Sequence, residues 1–197
     1  MAVAKNNGKS LQDKRYSKNE ETILIKILTF SSDNVSEFAR QTNLSRSTIL
    51  RHYKALYEIP LDCETYLLSG FASSTKDIRS SSEAGLTVLF CRLLTFLSEH
   101  NLYVDVVLEK GDGTAFLEKL IDVLKPNIIT TKEVDDGEMF DIYRRIASLI
   151  IKKWYKNREA IDESLIAKKL SSIADNAKGY LGPLFYYIQD EAVDKNK

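Results

Sequence analysis

Six side chains in one short stretch carry most of the chemistry this chain can offer. Arg46, Ser47, Thr48, Arg51, His52 and Lys54 sit within SRSTILRHYK, residues 45–54. All can donate hydrogen bonds. Donors spaced along a short helix suit phosphate oxygens and base edges, and an arginine can contact guanine through two parallel bonds. Elsewhere the chemistry is sparse. His52 and His100 are the two imidazoles, and neither belongs to a nucleophile motif with a Cys or Ser. The GDGT at 111–114 lacks the Lys and the strand-to-helix setting of a phosphate-cradling loop. Cys63 and Cys91 have no CxxC spacing and fit reduced, buried thiols better than a disulfide or a metal site. The pair Asp135–Asp136 reads as a helix start rather than a metal site. The residues therefore argue against an enzyme and imply neither a metal nor a cofactor.

The donors need a scaffold, and residues 34–56, NVSEFARQTNLSRSTILRHYKAL, supply one. Asn34 is a good N-cap with Glu37 three residues on, so a helix should start at Val35. Val35, Phe38, Ala39 and Thr42 follow the spacing of an inward face, while Ser36, Glu37, Arg40 and Gln41 point away. Ala39 is small enough to let a second helix cross. Asn43 tolerates the left-handed backbone of a sharp turn. Leu44 can plug the angle, and Ser45 can cap a second helix with Ile49 and Tyr53 turned inward. That pattern is a helix-turn-helix, whose second helix displays Arg46, Ser47, Thr48, Arg51 and Lys54. Ser36, on the outer side of the first helix, joins the DNA-contact candidates. His52 has two readings: a phosphate contact, or a ring half-buried under the head.

Charge follows the same division. Residues 1–60 carry ten Lys and Arg against six Asp and Glu, whereas residues 61–197 carry eighteen against twenty-two, so formal neutrality hides a basic head on an acidic body. Residues 1–18, with Lys5, Lys9, Lys14, Arg15 and Lys18 among polar residues, read either as an ordinary disordered terminus or as a flexible basic arm that follows a DNA groove. Two blander readings of the pair of helices stand beside DNA recognition. One is a helical hairpin with solvated cations; the other is a protein-interaction module built on a helix-turn-helix, without sequence-specific DNA binding.

At 197 residues, 44% apolar and 28% charged, the chain has the composition of a soluble globular protein. The N-terminus lacks the apolar core of a signal peptide, and Leu86–Leu97 is broken by Arg92 and too short to span a bilayer, so a cytoplasmic protein without membrane contact is expected. With three Pro and eight Gly, an all-α fold is expected: a three-helix head over 19–60, then a larger helical bundle over 61–197. A first helix should run from Asn19 to Phe30. Pro60 should end the head or kink the chain, Asp62–Ala72 should be helical, and Phe71–Ser82 should be a polar loop. Glu83–Asn101, apolar on nearly every side, belongs in the centre of a bundle. Tyr103–Leu108 is β-prone and without a partner strand, so it reads as loop or helix end. Thr114–Leu124 should form a helix closed by Pro126, followed by helices over Glu138–Asn157, Asp162–Ala177 and Leu181–Gln189. Phe90, Phe96, Tyr103, Phe116, Trp154 and Tyr155 are candidates for lining a ligand pocket, although aromatics at helical spacing are more often plain core.

The segment SRSTILRHYKAL resembles the end of the helix-turn-helix in the tetracycline-repressor (TetR) family, where Thr, an apolar residue, an aromatic, a variable or basic residue, His and an aromatic occur in order. Thr48, Ile49, Arg51, His52 and Tyr53 match. Leu50 stands in place of a Tyr that touches the DNA backbone, Asn43 in place of a turn Gly, and Leu56 and Tyr57 where a Lys is usual. Ile146–Leu170, with Trp154, Asn157 and Ala167, is similar to the C-terminal end of TetR-like regulators from low-GC Gram-positive bacteria. The resemblance implies a homodimeric transcription regulator, usually a repressor, whose two heads enter successive major grooves of a palindromic double-stranded operator. It implies a small apolar or aromatic effector bound in the helical body that alters the spacing of the heads. It also implies dimerisation through Glu138–Asn157 and Asp162–Ala177, with Ile146, Leu149, Ile150, Leu165 and Ile173 as candidates for a shared bundle or, equally, for intramolecular core.

Overall fold

The computed structural model describes residues 18–31, 33–76, 78, 83–128 and 137–174. Among them are nine helices and no strand. They are α1 (Lys18–Thr29), α2 (Val35–Thr42), α3 (Arg46–His52), α4 (Glu58–Thr75), α5 (Glu83–Glu99), α6 (Asn101–Lys110), α7 (Gly113–Ile128), α8 (Gly137–Lys156) and α9 over 163–174. The arm at 1–17, Asp135–Asp136, and the last helix expected over Leu181–Gln189 lie outside the described residues.

The chain divides into two compact units. The first comprises the described residues up to Tyr66 together with Leu102–Gly111; the second takes Leu67–Asn101 and the chain from Asp112 onward. In the first unit, Ile23, Leu24, Ile27 and Phe30 of α1 are buried with Phe38 and Ala39 of α2 and Ile49 of α3. Phe30 meets Phe38 edge to face at 5.0 Å, one of the favourable aromatic geometries. Helix α6 fastens to both ends of α1. The Tyr103 hydroxyl donates to Glu20 Oε1 at 3.1 Å, and Lys110 Nζ donates to the free carbonyl of Phe30 at 2.8 Å. A cation on a helix's last carbonyls is favourably placed against its dipole. Tyr66 stacks on Tyr103 at 4.6 Å.

The second unit is built on α5, whose Leu86, Leu89, Phe90, Leu93, Leu94 and Leu97 are buried, as expected for a central helix, although Val88 is exposed. Helices α7 and α8 are clamped by Arg144, which contacts Asp122 at 3.0 Å, Asp141 at 3.2 Å and Glu118 at 3.9 Å. Lys152 Nζ donates to Thr114 Oγ1, a second tie between the same helices. Trp154 donates its ring N–H to the carbonyl of Ile161, fixing the turn before α9. Asp162 caps α9 by accepting from the Ser164 N–H at 2.7 Å, and that bond lowers its carboxyl pKa. The Glu163 carboxylate accepts from both Thr95 and Ser98 of α5.

Four sequence expectations are corrected. Tyr103–Leu108 is not loop or helix end but the middle of α6: Tyr103, Val104, Val106 and Val107 are buried, and their packing outweighs β-propensity. Pro60 neither ends nor kinks the chain. It occupies the first turn of α4, where its missing N–H has no intrahelical partner to lose. That helix runs on to Thr75, three residues past its expected end at Ala72 and five into the expected polar loop, with the hydroxyls of Ser73, Ser74 and Thr75 bonded back to the carbonyls of Ser69 and Phe71. Pro126 lies inside α7, which continues to Ile128; a proline's fixed φ is itself helical.

Candidate nucleic-acid interface

Residues 34–58, all within the first unit, form two capped helices and two tight turns. Asn34 accepts from the N–H groups of Ser36 at 2.9 Å and Glu37 at 3.2 Å, which starts α2. Thr42 is buried at the end of that helix; its hydroxyl is within 3.1 Å of the carbonyls of both Phe38 and Ala39, and its oxygen accepts from the Leu44 N–H at 3.4 Å. Asn43 then takes φ 54°, ψ 26°, the one positive φ on a non-glycine among the described residues. Leu44 is half-buried in the turn. Ser45 Oγ accepts from the Thr48 N–H at 3.0 Å and lies 2.8 Å from the hydroxyls of both Ser47 and Thr48. Three hydroxyl groups therefore meet at the start of α3.

Two inward anchors orient α3. Ile49 is fully buried and Tyr53 is 6% exposed. Burial, followed by the nearby Cys63, Glu20 and Asp62, raises the Tyr53 phenol above its ordinary pKa, so it stays neutral. Arg46, Ser47, Arg51, His52 and Lys54 are all exposed, and Thr48 is half-buried. His52 is therefore not tucked under the head; its ring lies tilted beside Tyr53 with the centroids 6.3 Å apart. Ser36 is exposed on α2, its N–H already engaged by the Asn34 cap. Among the described residues none of Arg40, Arg46, Arg51 and Lys54 joins an ion pair. Such uncompensated cations around one short helix raise the local potential and attract a polyanion.

Three residues of this region escaped sequence reasoning as contributors. Glu58 accepts from the Lys54 backbone N–H at 2.9 Å and so fixes the turn that presents Lys54; an acidic residue four positions after a helix-ending basic one is the signal. Tyr57 is 66% exposed beside it, and Leu50 is 37% exposed on α3.

In the second unit the pocket candidates Phe90, Phe96, Phe116 and Trp154 are all buried. Phe96 stacks on His100 at 4.2 Å, and Phe90 packs edge-on to Tyr143. Tyr155 is buried with its hydroxyl on the carbonyl of Asn101; Tyr103 belongs to the first unit. An open cleft of about 490 Å³ lies instead between α5 and α9, lined by Ala84, Thr87, Leu165, Lys168, Lys169 and Ser172. Of the shared-bundle candidates, Ile146, Leu149 and Leu165 are exposed, Ile150 and Ile173 half-buried, and Ile142 is exposed on the same helix as Ile146. Among the described residues no group of three or more His, Cys, Asp or Glu could hold a metal ion, and no helix is long and apolar enough to cross a membrane.

No family model matches this chain, and neither does any curated protein. Among solved structures, it is similar to the fatty acid degradation regulator FadR from Bacillus halodurans, with a TM-score of 0.53 at 14% identity over 85% of this chain and 98% of that one. At that identity the likeness is one of fold: this chain is an all-helical protein that shares its architecture with a regulator.

Proposed function

We propose that this chain is a sequence-specific DNA-binding transcription regulator of the tetracycline-repressor type. One observation carries the reading: the outward Arg46, Arg51 and Lys54 on a capped helix-turn-helix whose Ile49 and Tyr53 anchor the same helix from within. Helix α3 enters the major groove, with Arg46 and Ser47 at base edges and Thr48, Arg51, His52, Lys54 and Ser36 on base edges or phosphates. Residues 19–60 are the DNA-binding domain, residues 1–18 a basic arm, and residues 61–197 the regulatory and dimerisation domain of a cytoplasmic homodimeric repressor. The exposed Ile142, Ile146, Leu149 and Leu165 support dimerisation through α8 and α9, since such side chains cost free energy in a monomer. A small effector in the helical domain modulates operator affinity. The similarity in fold to a regulator is in keeping with this reading.

The test is selection of duplexes from random sequence, followed by titration at two salt concentrations and footprinting. With Arg51 and Lys54 on phosphates, four cations per dimer give a slope of log affinity against log salt of about −3.6, hence a loss of about 10²-fold between 50 and 200 mM. Arg46→Ala should cost about 1–3 kcal/mol and relax preference at one base position. Selection that enriches no sequence, with weak binding to bulk DNA at both salts, refutes the proposal and leaves a protein-interaction module.

A further inference from the structure

Leu50 is the outward residue of α3 that cannot hydrogen-bond. Its neighbour Ile49 is fully buried and Tyr53 nearly so, yet Leu50 remains 37% exposed. It lies three and four residues beyond Ser47 and Arg46, on the same face of the helix. Helical side chains lean toward the N-terminus, so Leu50 covers the surface over the turn that carries Arg46 and Ser47. In a helix-turn-helix that is the end of the recognition helix that meets base edges, and a leucine lacks the hydroxyl by which the tyrosine at this place in the resembled family touches the backbone.

Resting on the DNA-binding reading above, we propose that Leu50 reads the 5-methyl group of a thymine adjacent to the base contacted by Arg46. A leucine pressed against DNA can accept nothing from a base and donate nothing to a phosphate. It stabilises the complex only by removing apolar surface from water, and the thymine C5 methyl is the one apolar group on the major-groove edges. The same side chain facing cytosine at that step would cover a polar N4 amino group and leave it without a partner. Leu50 therefore selects thymine, while Arg46 and Ser47 retain hydrogen-bond readout on either side.

The experiment uses the full chain and the sequence recovered by selection. Each thymidine of the operator is replaced in turn by deoxyuridine, which lacks the methyl and keeps every hydrogen-bonding atom. One replacement per half-site should weaken the wild-type protein about fourfold, the worth of roughly one buried methyl. Leu50→Ala should bind the thymidine and deoxyuridine operators equally, with the salt slope and the preferences at other positions kept. A flat deoxyuridine scan with the wild-type protein, which needs no variant, overturns the assignment while leaving DNA binding intact. An equal deoxyuridine loss in Leu50→Ala overturns it as well, by giving the methyl to another side chain. Failure to select any sequence is a different result, and it removes the DNA-binding reading itself.

Discussion

The turn between α2 and α3 depends on one backbone conformation, and Asn43 supplies it at φ 54°, ψ 26°. For an L-residue the left-handed region costs roughly 1–2 kcal/mol, which Asn lessens by local hydrogen bonding and Gly avoids altogether. Asn43 is exposed, so replacing it removes little packing, and the backbone term alone sets the result. Asn43→Ala should therefore destabilise by about 1 kcal/mol, Asn43→Val by about 2 kcal/mol because branching at Cβ tightens the clash, and Asn43→Gly should be neutral or slightly stabilising. In urea, with a slope of about 2 kcal/mol/M, the alanine variant should unfold about 0.5 M earlier with an unchanged slope. Far-UV circular dichroism is the proper probe, since the single Trp154 lies in the second unit and does not report on this turn. The order Gly ≥ Asn > Ala > Val is the signature of a left-handed residue. An alanine variant as stable as the glycine variant would refute the turn geometry, and with it the crossing that presents α3.

Two further outcomes follow from particular contacts. A Cβ at Gly111 would sit 2.9 Å from the carbonyl oxygen of Val107 and 3.4 Å from Pro60 Cβ, so Gly111→Ala must shift backbone and should cost about 1–3 kcal/mol in thermal or urea unfolding. Burial, then the charges of Asp62 and Glu20, push the Cys63 thiol up to about 12, and Tyr53 is raised in the same surroundings. The folded protein holds these protons more tightly than the unfolded chain, so their contribution is complete below about pH 9 and falls as pH rises toward 12. Urea midpoints should drop across that range, less so in Cys63→Val, and native Cys63 should resist iodoacetamide at pH 8 until denaturant is added.

The head was the most legible part of the chain because its signals are local. Asn34, Asn43 and Ser45 each state a backbone conformation or a cap within four residues, and Phe38, Ala39, Ile49 and Tyr53 turn inward at the spacing their positions imply. Helix α6 is poorly legible for the opposite reason. Its valines favour strand locally, and the burial of Val104, Val106 and Val107, with Tyr103 on Glu20, outweighs that preference. Pro60 misleads because proline interrupts a helix only where an N–H is needed or its ring clashes, and the first turn of α4 meets neither condition; Pro126 does forgo a helical hydrogen bond, and α7 runs only two residues beyond it. The pocket aromatics could not be told from core aromatics by spacing, since both face inward at the same period. The surface line-up of Arg46, Arg51 and Lys54 was readable, but not the carboxylate of Glu58 that holds the turn before α4.

That carboxylate works together with a buried leucine to set the turn after α3. Leu56 is 4% exposed, packed in the same unit as Tyr53 and the fully buried Ile59. A lysine at that depth would have to desolvate its ammonium group or swing out and leave a gap, and both cost stability. The leucine thus makes the turn after α3 part of the core. Lys54, two residues earlier, stays exposed, and its backbone is held by a charge-assisted hydrogen bond to Glu58. Glu58 also lies in the first turn of α4, where negative charge is favoured by the helix dipole. A cation is thereby retained at the end of α3 on a backbone fixed at both sides, by Tyr53 N–H on the carbonyl of Ile49 before it and by Glu58 after it.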